Sequence, residues 1–405
     1  MNKIILLISI TGSYLGGAQK RYLSLFNFIF VKRNDYFLVV NKKLYLALKK
    51  NNVLTSFENV RVISLYGEKD LIISENLKPP IHEKPKINYK TKISKIRLYL
   101  GRKKMFLKSV IIWLSFIIEF RKILKEIKSN IVYAVWTGGI YAWPVRKIFK
   151  FKMIYSYNDS TLSMVKKDFW GIFNDSEYWA LKNADKIDFL SPGIVDSYQK
   201  KIGHLDINKY TVTPNSFINY EKYFAEKPKN DDVVFLSRLW SNKNPLLFLQ
   251  SVKIFNEKYP DMTGIKFYVI GEGGLEEDIQ KFIVNNKLHN VFFTGKTYEP
   301  WNYLRKSKVY VSIQQADNYP SQSLIEAMAC ENVIIASDAG ETRLLISEKE
   351  GILIPLEPES LADAVYRLFT TENMIEQMGL NSRKKVTENH TIEKYLNYFF
   401  SITDI

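Results

Sequence analysis

Short runs of consecutive apolar residues alternate along the chain with longer segments in which apolar residues recur at helical spacing. This alternation is typical of parallel α/β units, because strands covered by helices on both faces need no polar side. In the first half it predicts a long helix at 105–128 and strands at 3–10, 36–40, 60–64, 131–135, 152–157 and 186–190. In the second half it predicts strands at 232–236, 266–270, 291–294, 309–312, 332–337 and 351–354, and helices at 245–258, 274–285, 299–306, 321–329 and 360–370.

The two series of units predict an α/β protein with two doubly wound, Rossmann-like domains, since 405 residues exceed one ordinary core. Pro214 begins a turn after a strand-like run, so we place the first domain at 1–214 and the second at 215–385. Residues 386–405 are expected to form a C-terminal helix that packs back on the first domain. Residues 66–104 are rich in lysine and are predicted to form a loop-rich insertion.

The net charge of +16 is concentrated in one half of the sequence. Residues 1–200 contain 35 basic and 15 acidic side chains, a balance of +20, whereas residues 201–405 contain 23 and 27, a balance of −4. A basic half suits an anionic membrane surface, a phosphorylated lipid or nucleic acid. The predicted helix at 105–128 mixes apolar and basic residues, a pattern shared by interfacial membrane helices and by core helices with charged ends.

Cysteine and histidine are too scarce for several classes of site. The single cysteine, Cys330, excludes an intramolecular disulfide framework and fits a reducing compartment. The four histidines share no metal-binding spacing, so no zinc site is expected. The apolar start at 3–10 resembles a short signal peptide, but the residues that follow favour a buried first strand. The apolar run at 109–118 is too short to span a bilayer, which requires about 20 residues.

Two segments place glycine or basic residues directly after predicted strands, where α/β domains bind ligands. Gly16 and Gly17 follow the first strand and let a ligand approach the backbone, although a plain Gly-rich turn has the same sequence. Arg238 and Lys243 follow the strand at 232–236. A guanidinium and an ammonium suit phosphate oxygens there; the alternative is two solvated surface cations.

A third segment, 317–329, joins a predicted strand to a predicted helix. Ser321 is a candidate N-cap, and the free amides near Gln322 and Ser323 are predicted to favour a bound diphosphate. Glu326 lies in an otherwise apolar helical run, where a carboxylate needs polar partners. The two hydroxyls of a ribose would serve, and a position on the helix surface is the alternative.

Taken in order, these segments resemble glycosyltransferase family 4. The resemblance is carried by the Gly-Gly-Ala run at Gly16, by Pro214-Asn215, by the segment from Ser237 to Asn244, by the turns at Gly271 and Gly295, and by the helix with Glu326. It covers nearly the whole chain and is strongest at 209–356. Members of this family are retaining enzymes with the GT-B fold, so the resemblance implies two Rossmann-like domains that face each other across a cleft.

The resemblance also implies roles for individual residues. Arg238 and Lys243 would neutralise the diphosphate of a nucleotide-sugar donor, and Gly17 would face that donor from the first domain. Glu326 would hold the ribose. The turns beside the nucleotide would be formed by Gly271 and Gly295.

One departure from the family concerns the donor sugar. The family's first glutamate lies eight residues before its second, and counting back from Glu326 gives Asn318, with Asp317 one residue further. Either side chain is a candidate ligand for the sugar hydroxyls.

Two further departures concern the joint between the domains and the acceptor side. The family's Pro-Asn-Gly joint has Ser216 in place of glycine. The His-Asp pair that often follows the strand matching 152–157 is Asn158-Asp159 here. No histidine fills that role, and Asp159 is the candidate catalytic residue.

These interpretations predict retaining transfer of a sugar from a UDP- or GDP-sugar to a glycan or lipid-linked acceptor. The product would be a bacterial surface polysaccharide such as capsule, O-antigen or lipopolysaccharide. Arg238 and Lys243 would stabilise the leaving nucleoside diphosphate, so neither a metal nor another cofactor is expected. We expect a cytoplasmic protein in peripheral contact with the inner membrane and without a nucleic-acid partner.

Three other functions stay open. A nucleotide-sugar epimerase shares the architecture but needs acid and base residues on both faces of the sugar, and the first half offers few. A nucleic-acid-binding protein fits a pI near 9.4, but no basic helix with base-reading residues stands out. A catalytically inactive, membrane-associated scaffold fits the missing first glutamate, and a donor-hydrolysis assay separates it from an enzyme.

Overall fold

The computed structural model describes residues 3–8, 17–65, 92–158 and 177–404, with side chains throughout these ranges except at 17–20 and 92–109. The chain divides into two compact units. The first comprises Met1–Thr213 together with Tyr398–Ile405, and the second comprises Pro214–Asn397.

The first unit is built on a sheet of parallel strands. They are β1 (Ile4–Ile8), β2 (Tyr36–Asn41), β3 (Val60–Ile63), β4 (Ile131–Val135), β5 (Lys152–Tyr157), β6 (Lys186–Phe189) and β7 (Tyr210–Val212). Their order is β3-β2-β1-β4-β5-β6-β7, so the direction of winding reverses between β1 and β4, as in a doubly wound fold. Every residue of β1 and β4 is buried, as expected for strands covered on both faces.

The helices of the first unit include one that is longer than predicted. They are α1 (Gly17–Lys32), α2 (Lys42–Lys50), α3 (Lys92–Ile127), α4 (Thr137–Ala142), α5 (Arg146–Phe149), α6 (Tyr178–Asn183) and α7 (Pro192–Lys201). Because α3 begins at Lys92, the prediction of a loop-rich insertion at 66–104 is wrong from residue 92 onward. Lysine, arginine and leucine are good helix formers, so the high lysine content did not indicate a loop. Residues 66–91 lie outside the described residues.

The described side chains of α3 form two faces. Phe116, Phe120 and Ile127 are buried in the core of the first unit, against the sheet. Leu114 and Ile118 are exposed on another face. This part of α3 is therefore a core helix that also carries exposed apolar side chains.

The second unit repeats the parallel architecture. Its strands are β8 (Asn230–Leu236), β9 (Lys266–Ile270), β10 (Val291–Gly295), β11 (Ser307–Ser312), β12 (Val333–Ser337) and β13 (Gly351–Ile354). Their order is β10-β9-β8-β11-β12-β13. The helices are α8 (Pro245–Lys258), α9 (Glu276–Asn285), α10 (Trp301–Leu304), α11 (Gln322–Ala329), α12 (Pro358–Thr370), α13 (Met374–Asn389) and α14 (Ile392–Thr403).

Alternate residues of β8 pack into two separate cores. Val233 and Phe235 contribute to the core that includes Phe248 of α8, whereas Val234 contributes to the core that includes Leu324 of α11. Since successive side chains of a strand point to opposite faces, helices cover both sides of this sheet. This layering holds α11 against the sheet with its first turn beside the end of β11.

The last helix, α14, contributes to both units. Its residues up to Asn397 group with the second unit, and those from Tyr398 onward group with the first. Within the first unit the Tyr36 hydroxyl lies 2.7 Å from Oγ1 of Thr403. The C-terminal helix expected at 386–405 corresponds to α14, which begins at Ile392, and α13 ends at Asn389. Over the described ranges, no helix combines the length and apolarity needed to cross a bilayer.

Candidate functional site

Three loops of the second unit begin where neighbouring parallel strands end. Arg238 follows β8, Gly271 follows β9 and Asp317 follows β11. Because β9, β8 and β11 are adjacent and parallel, their carboxyl ends share one edge of the sheet. The structure therefore brings these three candidates from the sequence to the same edge.

A tight turn after β8 places Lys243. The 3-10 turn Ser241–Lys243 is followed by Asn244 in the left-handed conformation (φ 55°) and by Pro245, which begins α8. Nδ2 of Asn244 donates to the carbonyl oxygen of Ile313 at 2.8 Å. This bond ties the backbone of the turn to the chain that leaves β11.

The environment of Lys243 weakens its hold on a proton. Its half-buried ammonium donates to Oε1 of Gln314. Burial and the positive charge of Arg238 lower the pKa of Lys243 to about 8, and the carboxylate of Asp317 acts in the opposite direction. Arg238 is itself exposed. An anion bound beside both cations would relieve their repulsion.

The first turn of α11 offers backbone N–H groups. Ser321 is the N-cap, but its side chain makes no capping bond. The first bond inside the helix runs from the Ile325 amide to the carbonyl oxygen of Ser321 at 3.1 Å. The amides of Gln322, Ser323 and Leu324 are therefore not used inside the helix, and the helix dipole favours an anion beside them.

Tyr310 on β11 connects this amide turn to β8. Its hydroxyl lies 2.8 Å from Oγ of Ser323 and 3.1 Å from the carbonyl oxygen of Leu236, the last residue of β8. Arg238 follows two residues later. Tyr310 thus holds the first turn of α11 beside the loop that carries the guanidinium.

The side chain of Gln322 is directed to the start of the second unit. It accepts a hydrogen bond from Oγ of Ser216 at 3.0 Å and donates to the carbonyl oxygen of Phe217 at 3.1 Å. Only its backbone amide is therefore offered to a ligand at the helix end.

Glu326 lies one turn further along α11. Its half-buried carboxylate accepts from Nε2 of Gln322 at 3.4 Å. Burial, and then the charge of Glu326, raise the pKa of the Tyr223 hydroxyl. Glu326 thus has polar partners inside the unit, as a carboxylate in an apolar run requires. Its assignment to a ribose stays a prediction.

Asn318 is deeply buried, with 1% of its surface exposed. Its amide oxygen accepts from Oγ of Ser312 at 2.7 Å. Its amide nitrogen lies 2.9 Å from Oγ of Ser337 and 3.1 Å from Oγ1 of Thr342. Both ends of the amide are engaged within the unit, an arrangement that holds the loop after β11 in place.

Asp317 is less buried than Asn318. Its Oδ1 accepts from the amides of Tyr319 at 2.8 Å and Glu341 at 3.1 Å. Burial raises the pKa of Asp317, and these backbone bonds oppose the shift. Of the two candidates for a sugar ligand, Asp317 is therefore the one nearer the surface of this edge.

The two predicted glycine turns differ in their surroundings. Gly271 has φ 144°, and a Cβ there would lie 1.8 Å from the carbonyl oxygen of Ser237. Only glycine lets the turns after β8 and β9 approach so closely. Gly295 has φ 69° with open space around its Cβ position, and the neighbouring Lys296 pairs with Glu272 at 2.6 Å.

Three residues at this edge were not among the predicted site residues. Trp240, 41% exposed, lies in the loop after β8, and Tyr298, 57% exposed, follows β10. Aromatic residues in the loops after predicted strands are visible in the sequence, and they indicate a candidate nucleotide site because such rings stack on planar bases. Gln314 carried no comparable signal, since only its contact with Lys243 distinguishes it from an ordinary polar loop residue.

Two of the predicted site residues, Gly17 and Asp159, belong to the first half of the chain. Gly17 is the first residue of α1 in the first unit. The preceding loop, 9–16, and Asp159 lie outside the described residues. The roles of Gly17 and Asp159 stay predictions. In the part of the chain that the structure describes, no group of three His, Cys, Asp or Glu side chains is arranged to hold a metal ion.

Chemically, the edge of the second sheet is suited to an anion with more than one charge. Arg238 provides a planar guanidinium, Lys243 an ammonium, and α11 a set of first-turn amides that make no bond inside the helix. Phosphate oxygens are bound by these groups at helix N-termini that follow parallel strands.

Residues 230–371, which contain this edge, match the family model described as glycosyl transferases group 1. Two curated proteins are similar over a longer span. The poly(ribitol-phosphate) alpha-N-acetylglucosaminyltransferase of Staphylococcus aureus (strain COL) is 28% identical over 247 residues, 57% of this chain and 48% of the relative. The UDP-Gal:alpha-D-GlcNAc-diphosphoundecaprenol alpha-1,3-galactosyltransferase of Escherichia coli is 27% identical over 222 residues, 53% and 56% of the two chains. The chain thus spans about half the length of these relatives.

A solved structure is similar in fold over the full length. The crystal structure of Anabaena Alr3699/HepE in complex with UDP and glucose has a TM-score of 0.69 and 13% sequence identity, and the similarity covers 99% of each chain. Together with the two parallel sheets, this likeness confirms the predicted fold class, α/β with two Rossmann-like units of the GT-B type.

Proposed function

We propose that this chain is a hexosyltransferase that moves a sugar from a nucleoside diphosphate to an acceptor. The observation that carries the proposal is the grouping of Arg238, Lys243 and the first-turn amides of α11 at one sheet edge. A diphosphate matches two cations and a helix N-terminus in charge and in hydrogen bonding. The match of residues 230–371 to glycosyl transferases group 1 supports the same assignment.

In this proposal the second unit stabilises the leaving group. Rupture of the bond between sugar and phosphate places negative charge on the terminal phosphate. Arg238, Lys243 and the amides of α11 stabilise that charge, which lowers the barrier to the reaction. These groups supply the positive potential, so we propose transfer without a metal ion or another cofactor.

We also propose that the transfer retains the anomeric configuration. The leaving phosphate accepts the proton that the attacking hydroxyl releases, and Asp159 is the candidate protein residue near that step. Both curated relatives are named for alpha linkages, which are the products of retention from an alpha-linked nucleotide sugar.

For the donor we propose a UDP-sugar, with a GDP-sugar as the alternative. The Escherichia coli relative is named for UDP-Gal, and the Anabaena structure was solved with UDP. Glu326 is proposed to hold the ribose and Asp317 the sugar hydroxyls. Asn318 supports Asp317 from within the unit, since both ends of its amide are engaged there.

For the acceptor we propose a glycan or lipid-linked glycan, in synthesis of a bacterial surface polysaccharide at the cytoplasmic face of the membrane. The Escherichia coli relative is named for a diphosphoundecaprenol-linked sugar. The basic first half and the exposed face of α3 support contact with anionic lipid, because Leu114 and Ile118 are exposed, as are Arg121 and Lys125 one or two turns further on.

Vesicle binding tests the membrane contact. Co-sedimentation with vesicles that contain anionic lipid should fall when Arg121 and Lys125 are both replaced by glutamate. The matched control replaces Lys253 and Lys287, two lysines of the second unit, by glutamate. Equal binding by the wild type and both double variants would overturn this part of the proposal.

Nucleotide binding and turnover test the function as a whole. We would measure the melting temperature with UDP, GDP, ADP and CDP, with and without a chelator, since a ligand of the folded state raises it. One nucleotide should stabilise the wild type, and Arg238→Ala and Glu326→Ala should lose that effect. The exposed Arg367→Ala serves as the control.

The same samples separate the competing functions. Release of the free nucleoside diphosphate from the matching nucleotide sugar is expected of a transferase. Binding without any release indicates the inactive scaffold, and conversion of one nucleotide sugar into another indicates the epimerase. Absence of binding by every nucleotide would overturn the proposal.

A further inference from the structure

Among the described residues, the ammonium of Lys243 makes one hydrogen bond, and its acceptor is a neutral side chain. Its ammonium donates to Oε1 of Gln314, in the loop that follows β11. An amide oxygen accepts this bond without cancelling the positive charge, whereas a carboxylate at the same place would form an ion pair. The charged groups that face Lys243 are Arg238 and Asp317.

Gln314 is itself fixed by the core of the loop. Oγ of Ser337 donates to the carbonyl oxygen of Gln314 at 2.7 Å, and Nδ2 of Asn318 lies 2.9 Å from the same hydroxyl oxygen. Asn318 is buried, so its position is set by packing. The hydrogen bonds thus run from the buried Asn318 through Ser337 and Gln314 to the ammonium of Lys243.

We propose that Gln314 is a positioning residue for the diphosphate site: it holds the ammonium of Lys243 toward the ligand while leaving its positive charge uncancelled. This inference rests on the proposed function, because it assigns Gln314 a role in binding the same diphosphate. Gln314 touches Lys243 and not the reacting atoms, so its effect is transmitted through the lysine.

The pH dependence of nucleotide affinity distinguishes this role from a structural one. Lys243 has a pKa of about 8. Affinity of the wild type for UDP should therefore fall as the pH rises through about 8, where the ammonium loses its proton. Gln314→Met keeps the length of the side chain but removes the acceptor, so the fall should begin at a lower pH. Gln314→Glu supplies a carboxylate, so the fall should begin at a higher pH.

The experiment is a titration of each variant with UDP by calorimetry between pH 6.5 and 9. Ionisation of UDP itself is common to all samples and cancels in the comparison with wild type. At pH 7 Gln314→Met should bind UDP about two- to tenfold more weakly, the range expected for one lost hydrogen bond. Gln315→Met, at the adjacent exposed position, is the matched control, and Lys243→Met should remove the pH-dependent fall.

Each outcome decides a separate point. If the wild type binds none of the four nucleotides, the proposed function fails. If the wild type binds UDP but the pH profile of Gln314→Met matches it, the proposed function stands and the role of Gln314 is overturned. A melting temperature within a few degrees of wild type confirms that the variants are folded during the comparison.

Discussion

The hydroxyl of Tyr398, in the last helix of the chain, donates a hydrogen bond to the fully buried carboxylate of Asp188 in β6. Oγ1 of Thr213 donates to the same carboxylate at 3.0 Å, and Tyr133 donates to its other oxygen. Tyr398 also lies 2.9 Å from Oγ1 of Thr211 on β7. One carboxylate thus joins β4, β6 and the end of β7 to the second half of α14 inside the first unit.

Removal of the Tyr398 hydroxyl should lower the stability of the first unit. Tyr398→Phe keeps the ring but removes one donor to a buried carboxylate, so the free energy of unfolding should fall by about 1–2 kcal/mol. Urea denaturation, followed by circular dichroism, measures the loss. Tyr366→Phe, which removes a hydroxyl from an exposed ring, is the control and should change little. Equal effects of the two substitutions would contradict the importance of the buried bond.

The pH dependence of stability should change when Asp188 is neutralised. Burial raises the pKa of Asp188 above its ordinary value of 3.8, although three hydroxyl donors oppose the shift. A carboxyl with a raised pKa holds its proton more tightly in the folded state. Its contribution to stability therefore declines as the pH rises from about 3.8 through the folded-state pKa.

Asp188→Asn removes this titration while keeping the shape of the side chain. The melting temperature of the variant, relative to wild type, should therefore increase with pH from about 4 upward and become constant once Asp188 is ionised. Scanning calorimetry at a series of pH values measures the difference. A difference that is constant over the whole range would show that the carboxyl has the same pKa in both states.

The strands could be predicted because burial on both faces leaves a strong signal in the sequence. The run at β1 is apolar throughout, so its position follows from composition alone. The place of Arg238 and Lys243 after β8 could be predicted because they follow such a run. The start of α3 at Lys92 was missed because the same basic residues suit a helix or a solvated loop.

Contacts between distant residues could not be predicted in this way. Asp188 and Tyr398 are separated by 210 residues, and no sequence motif around either residue indicates that the two are in contact. The family resemblance makes Asn318, with Asp317, a candidate sugar ligand through its spacing to Glu326, and this spacing gives a distance along the chain but not the direction of the side chain. Its contacts with Ser312 and Ser337 depend on how β11 and β12 pack.

Asn318→Ala should be strongly destabilising. The change removes a buried amide that accepts a hydrogen bond from Ser312 and donates to Ser337 and Thr342, so the free energy of unfolding should fall by about 2–4 kcal/mol. Asn302→Ala removes an exposed asparagine with one side-chain bond to Glu299 and should change stability by less than about 0.5 kcal/mol. If Asn318→Ala melts like wild type but no longer transfers sugar, Asn318 is a ligand of the donor and not a support for the loop.

Gly271→Ala tests whether the close approach of two loops is needed for nucleotide binding. The new Cβ would lie 1.8 Å from the carbonyl oxygen of Ser237, and the residue would keep φ at 144°, which alanine rarely adopts. Because Ser237 immediately precedes Arg238, a shift of Ser237 that relieves the clash displaces the loop that carries the guanidinium. Affinity for the bound nucleotide should fall about tenfold, equivalent to about 1.4 kcal/mol, as measured by calorimetry.

Gly264→Ala provides the matched control, since Gly264 is exposed and a Cβ there meets nothing within 4 Å. It should bind the nucleotide like wild type and change the free energy of unfolding by less than about 0.5 kcal/mol. If Gly271→Ala were folded and bound the nucleotide with unchanged affinity, the position of Arg238 after β8 would not control binding. The affinity would then have to come from Lys243 and α11, because they are the remaining sources of positive potential assigned to this edge.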